Sequence, residues 1–208
     1  MTALQKYNTE TVVQWQMNPT DTPNVVKFQY LFWAFKPSID GFTHCHPVIC
    51  VDGTHINGKY KGKILVAMGI DADNSIFPLA FAIIDEETLT SWSWFLRNLS
   101  THVVLGRQGI CLISDRHSAI INVVDRLPEW RDPNAYHRFY LRHFQWNFHK
   151  KFKDILLKDL VWKVGIEHQI KKFNNYMDNI EQINSNARRW LDRVPSSQWS
   201  LVNDGGHH

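Results

Sequence analysis

With 208 residues, 44% of them hydrophobic and 13% aromatic, the chain has enough apolar material for one globular core, which excludes a disordered polymer. No apolar run is long enough to cross a bilayer, so no membrane partner is expected. Three cysteines without a signal-peptide pattern exclude a disulfide framework and fit a reducing compartment, and the net charge of +3 becomes informative only through its distribution.

In chain order, residues 1–46 read as a helical flank with a linker. Ala3 to Met17 has weak helical periodicity and ends at Asn18-Pro19, Asn18 to Asn24 reads as the linker, and Lys27 to Phe35 is a short aromatic element before Pro37. His44-Cys45-His46 with Cys50 has zinc-ligand residue types, but a second ligand pair at suitable spacing is missing, so zinc is not expected there. Residues 47–130 then form the core. The apolar run in Pro47 to Thr54 is a buried strand with Asp52 at its end, and Tyr60 to Ile70 and Ser75 to Ile84 are two more. Asp71-Ala72-Asp73-Asn74 makes a hairpin-like turn between the second and third, giving an antiparallel meander. From Thr88 to His102 the period becomes helical, with Leu89, Trp92, Phe95, Leu96 and Leu99 on one stripe. Gly109 to Ser114 is a fourth strand that delivers Asp115, and Ala119 to Leu127 is the helix after it.

Three antiparallel strands followed by helix, strand and helix is the ribonuclease H-like order, an α/β class with a mixed sheet. In that arrangement the first and fourth strands are neighbours, which would bring Asp52 and Asp115 within reach of shared metal ions. Carboxylates where strands emerge from an open sheet stand where such sheets hold ligands, although an Asp-Gly after a strand also serves simply as a turn. Hard Mg²⁺ or Mn²⁺ prefers carboxylate oxygens, so the pair is a candidate site for two ions.

Residues 131–208 read as a basic, aromatic helical extension. From Arg138 to Lys172 there are nine Lys or Arg against Asp154, Asp159 and Glu167, interleaved with Phe139, Tyr140, Phe144, Trp146, Phe148 and Phe152. Arg142, His143, Lys150, Lys151 and Lys153 are the candidate DNA contacts, because a phosphate backbone requires cations of this density. The same pattern also suits a solvated amphipathic helix, and Lys150-Lys151-x-Lys153 suits a nuclear localisation patch. Trp92, Trp94, Trp162 and Trp190 fall on helical stripes and are expected in the core. Lys163 to Met177 and Ile180 to Arg193 are expected as two further helices.

Several blocks resemble the transposase domain of plant Mutator-like elements: Cys50-Val51-Asp52-Gly53-Thr54-His55, Gly58-Lys59-Tyr60-Lys61-Gly62, Pro78-Leu79-Ala80-Phe81-Ala82, Ser91-Trp92-Ser93-Trp94-Phe95-Leu96, Ser114-Asp115-Arg116-His117 and Tyr136 to His143. The resemblance implies a nuclear, Mg²⁺-dependent DNA nuclease and strand transferase with an Asp-Asp-Glu site, DNA rather than a small molecule as substrate, and a dimer or larger assembly. It makes Asp52 the bridging ligand and Asp115 a ligand to one ion. The family's final Glu follows a Thr-Thr-Asn segment beyond Asp204-Gly205-Gly206, which these 208 residues do not contain, so the expectation is an incomplete site in a fragment or host-retained remnant. Glu86 and Glu87 are the substitutes best placed by the element order, ahead of Glu129, Glu167 and Glu181; acids at a helix start are equally accounted for by the helix dipole. Tyr140 replaces a cysteine that relatives carry three residues before the counterpart of His143. The alternative function is a catalytically silent, transposase-derived module that binds DNA or protein.

Overall fold

The computed structural model describes residues 2–19, 25–57, 62–203 and 205. The expected linker from Thr20 onward, the Gly58–Lys61 part of the second block, and Asp204 and Gly206 lie outside these residues. The chain divides into two compact units, one formed by Met1–Leu112 with His117–Tyr136 and the other by Ile113–Arg116 with His137–His208. A seven-stranded mixed sheet has β1 (Val12–Pro19), β2 (Val26–Ala34), β3 (Val48–Ile56), β4 (Gly62–Ile70), β5 (Ile76–Ile84), β6 (Ile110–Ser114) and β7 (Ala135–Phe139) in the order β1-β2-β5-β4-β3-β6-β7.

In the first unit β3, β4 and β5 form the expected antiparallel meander. The strand period of two sorts its side chains. Val51, Ala67 and Ala80 lie in one cross-strand row and Leu65 and Ala82 in the next, all fully buried. They share a core with Trp92, Phe95, Leu96 and Leu99 of α3 (Leu89–Leu99). Each such large side chain contributes roughly 1.5–3 kcal/mol by leaving water. The start of α3 is fixed by a capping box, in which Thr88 accepts from the Ser91 N–H and Ser91 accepts from the Thr88 N–H. A π-helical turn over Ser100–Val104 extends α3, and α4 (Ser118–Val124) packs beside it. Trp130 joins the same core and donates its indole N–H to the Leu96 carbonyl at 3.1 Å.

The flank departs from its helical expectation. Short helices occupy only α1 (Thr2–Tyr7) and α2 (Lys36–Phe42), whereas residues 12–19 and 26–34 are strands that lengthen the sheet. Tyr30, Phe32 and Ala34 alternate into the core, a period of two in an aromatic segment that pairing with β5 rewards more than helix formation would. The 135–139 strand was likewise not anticipated.

The second unit is helical: α5 (Leu141–Phe152), α6 (Ile155–Ile166), α7 (Ile170–Ile183) and α8 (Ser185–Leu191). Phe144 and Phe148 on α5, Val161 and Val164 on α6, Ile180 on α7 and Leu191 on α8 are its buried centre, with Trp199 stacked on Phe144 at 4.7 Å. The sequence reading set a helix boundary near Asp178. The breaks instead fall at Glu167–Gln169 and at Asn184, whose side chain caps α8. Phe173, Met177 and Ile180 are therefore one stripe on one helix.

Candidate functional site

Asp52 lies within β3, four residues before its end, with its side chain exposed and its Oδ1 accepting from the Gly53 N–H at 2.8 Å. Strand alternation puts it on the sheet face opposite the core, in a row with Val66, Phe81 and Trp33, the last two stacked at 5.4 Å. Gly53 faces the core side, and a Cβ there would stand 2.9 Å from the Glu87 carboxylate carbon. Glu87 is thus seated over Gly53, where it pairs with Lys63 at 2.7 Å, and the sheet separates it from the Asp52 side chain. Glu86 is exposed in the loop before the Thr88 cap, its N–H donating to Asp85 and its carbonyl accepting from the Ser91 hydroxyl. Neither glutamate is brought to Asp52. Among the described residues no group of three His, Cys, Asp or Glu side chains converges as metal ligands would.

Asp115 follows β6 and belongs to the second unit. Both its neighbours are anchored. The buried Ser114 hydroxyl donates to the Asp115 carbonyl at 2.7 Å and lies 2.8 Å from His137 Nε2. A hydroxyl has one proton to give, so the neutral imidazole supplies the other from Nε2. Burial pushes the His137 pKa down to about 4, which keeps the ring neutral at physiological pH. On the other side the Arg116 guanidinium lies 5.7 Å from the Phe139 ring, 5.4 Å from Phe144 and 5.2 Å from Trp190, and burial lowers its pKa below the usual arginine range. The Tyr140 N–H donates to the Ser114 carbonyl, joining the same turn to the start of α5.

The basic residues divide into distinct surfaces. Arg142 and His143, both exposed, line an open groove of about 520 Å³ with Gln145 and Trp146 of α5 and Lys158 and Trp162 of α6. The His143 ring also packs 5.2 Å from Tyr140. Lys150 is exposed two turns after Arg142, and Lys153 ends α5 in a left-handed conformation. Lys151 lies elsewhere, beside Arg189 and Arg193 in a depression of about 230 Å³ walled by Phe152 and Trp190. Arg138 does not belong to any exposed surface: it is buried and donates to the Ser200 carbonyl at 2.8 Å.

Residues 48–147 match the family model of the MULE transposase domain. The chain carries a Mutator-like transposase domain. No curated protein matches it. The matched span of the transposase domain runs from the first residue of β3 into the second turn of α5 and includes Asp52, Asp115, Arg142, His143 and Trp146. Lys158, Trp162, Arg189 and Arg193 lie beyond it. Sequence reasoning missed the placement of Arg189 and Arg193 beside Lys151, whose signal was the local run of arginines at 188, 189 and 193. It also assigned Trp162 to the core, whereas the ring is half-buried on the wall of the groove.

Proposed function

We propose that this chain is the DNA-processing core of a Mutator-like transposase, ribonuclease H-like in fold, in which Asp52 and Asp115 hold Mg²⁺ or Mn²⁺ and the cationic surfaces of the second unit hold the DNA backbone. The observation that carries the reading is the family match over a span in which one carboxylate lies in β3 and another directly follows β6, strands that are neighbours in the sheet order. The donor chemistry fits a hard divalent cation, since Asp52 presents an exposed carboxylate whose only protein donor among the described hydrogen bonds is its own neighbour's N–H. When bound, such an ion supplies an activated attacking oxygen and stabilisation of the leaving oxygen in phosphoryl transfer. The chain's own contribution is to hold the turn at Asp115 through Ser114, His137 and Arg116 and to neutralise phosphates through Arg142, Lys150, Lys151 and Lys153. Action on chromosomal DNA makes the nucleus its place of work, with Lys150-Lys151-x-Lys153 as an import patch, and joining two element ends calls for more than one copy.

A second reading, a transposase-derived module that binds DNA without cutting it, is favoured by one observation: Glu87 is engaged with Lys63 and faces away from Asp52. One experiment separates the two. Metal-dependent nicking of a labelled duplex is measured for the chain and for Asp52→Asn and Asp115→Asn, alongside DNA affinity as a function of salt. The transposase reading expects nicking that both substitutions abolish, with affinity falling as salt rises by about one unit of logarithmic slope per phosphate contacted. Salt-sensitive binding without nicking selects the second reading. Salt-insensitive or absent binding contradicts both.

A further inference from the structure

The groove between α5 and α6 is more than a cationic strip. Each helix contributes a cation and a tryptophan spaced four residues apart: Arg142 and Trp146 from α5, Lys158 and Trp162 from α6. At four-residue spacing both members of each pair lie on the same helix face, so two cations and two indoles border one open volume. Trp146 is 54% exposed, a large cost for an indole that served only packing. Among the described residues no carboxylate lines the groove. Its shape is held from within, since Gln145 Nε2 donates to the Lys158 carbonyl at 3.0 Å and Gly165 lets α6 approach Leu141 at the start of α5 without an intervening side chain.

The chemistry of this lining selects one kind of occupant. Two cations without an opposing acid select an anion, and exposed indoles select a flat aromatic surface. A nucleotide offers both. A volume of about 520 Å³ falls within the roughly 300–1,000 Å³ of sites for small ligands, the scale of a nucleotide. A paired base within a duplex has both faces covered by its neighbours and a terminal pair frees only one, so a base can lie against both indoles only when it is unpaired. We propose that the α5/α6 groove receives an unpaired nucleotide of a DNA substrate, its base against the Trp146 and Trp162 indoles and its phosphate between Arg142 and Lys158. This rests on the reading that the chain acts on DNA and adds which form of DNA this groove selects. Lys150, two turns beyond Arg142 on the exposed side of α5, continues the cationic track along which the strand would leave.

The test compares three probes by fluorescence polarisation with the whole chain: a blunt duplex, the same duplex with a short thymidine overhang, and the same duplex with an overhang of abasic residues. The overhang is expected to bind about tenfold more tightly than the blunt duplex, the scale of one stacked base. The abasic overhang, which keeps the phosphates but lacks the bases, should lose most of that gain. Trp146→Ala should remove the tenfold gain and leave blunt-duplex affinity unchanged, whereas Trp146→Phe should retain most of the gain. Because the Trp146 ring is more than half exposed, these variants should melt with the parent, which a thermal scan checks. Equal binding of the blunt and thymidine probes, an abasic overhang as tight as thymidine, or a gain that survives Trp146→Ala would overturn the proposal while leaving the DNA reading intact. Failure to bind any of the three probes would overturn both.

Discussion

At the scale of single residues, the clearest consequence concerns His137. Its folded pKa of about 4 lies below the ordinary 6.5, so the folded chain resists a proton that the unfolded chain accepts. The stabilisation is complete above pH 6.5 and is lost as the pH falls from there toward 4, about 2 kcal/mol of it by pH 5. Urea unfolding at pH 7 and pH 5 should show that loss, and His137→Gln, which keeps a side-chain partner for Ser114 but does not titrate, should show a smaller one. An identical loss in the variant would place the acid sensitivity at other histidines. The two aspartates stand out in the sequence as candidates because each ends an apolar run. The role of Glu87 was not. Its meaning depends on which sheet face Gly53 presents, and that is fixed by strand register with β4 rather than by nearness in the chain. Trp162 was misjudged for a related reason: a helical stripe shows which residues share a face but not whether a neighbouring helix covers all of it.

Among elements, the close approach of α5 and α6 is the most sensitive joint. A methyl group at Gly165 would collide with the Leu141 side chain, so Gly165→Ala should destabilise by about 1–3 kcal/mol despite the better helix propensity of alanine. Adding Leu141→Ala should recover part of that loss, a coupling that a double-mutant cycle on urea midpoints measures. Strict additivity would mean that the two residues do not meet. The elements that the sequence displayed most plainly are those whose period matches their packing: β3, β4 and β5 through apolar runs, and α3 through a stripe of Trp92, Phe95, Leu96 and Leu99. β1 was obscured because its exposed and half-buried residues, from Val12 through Trp15 to Met17, have no clear alternation. It is held by pairing along β2 rather than by its own burial, and pairing leaves little trace in a single strand's sequence.

For the whole molecule, the chain crosses between its two units three times, and the short excursion Ile113–Arg116 is what carries Asp115 into the second unit. The family match covers residues of both. The most direct test of the proposed metal site is Mn²⁺ binding by calorimetry to the parent chain and to Asp52→Asn and Asp115→Asn, with far-UV spectra confirming unchanged folds. A shared site requires each substitution alone to weaken binding by about tenfold or more, since either loss removes a charged ligand from the same ion. Unchanged affinity in either variant would show that the two aspartates do not act together, and the central claim would fall.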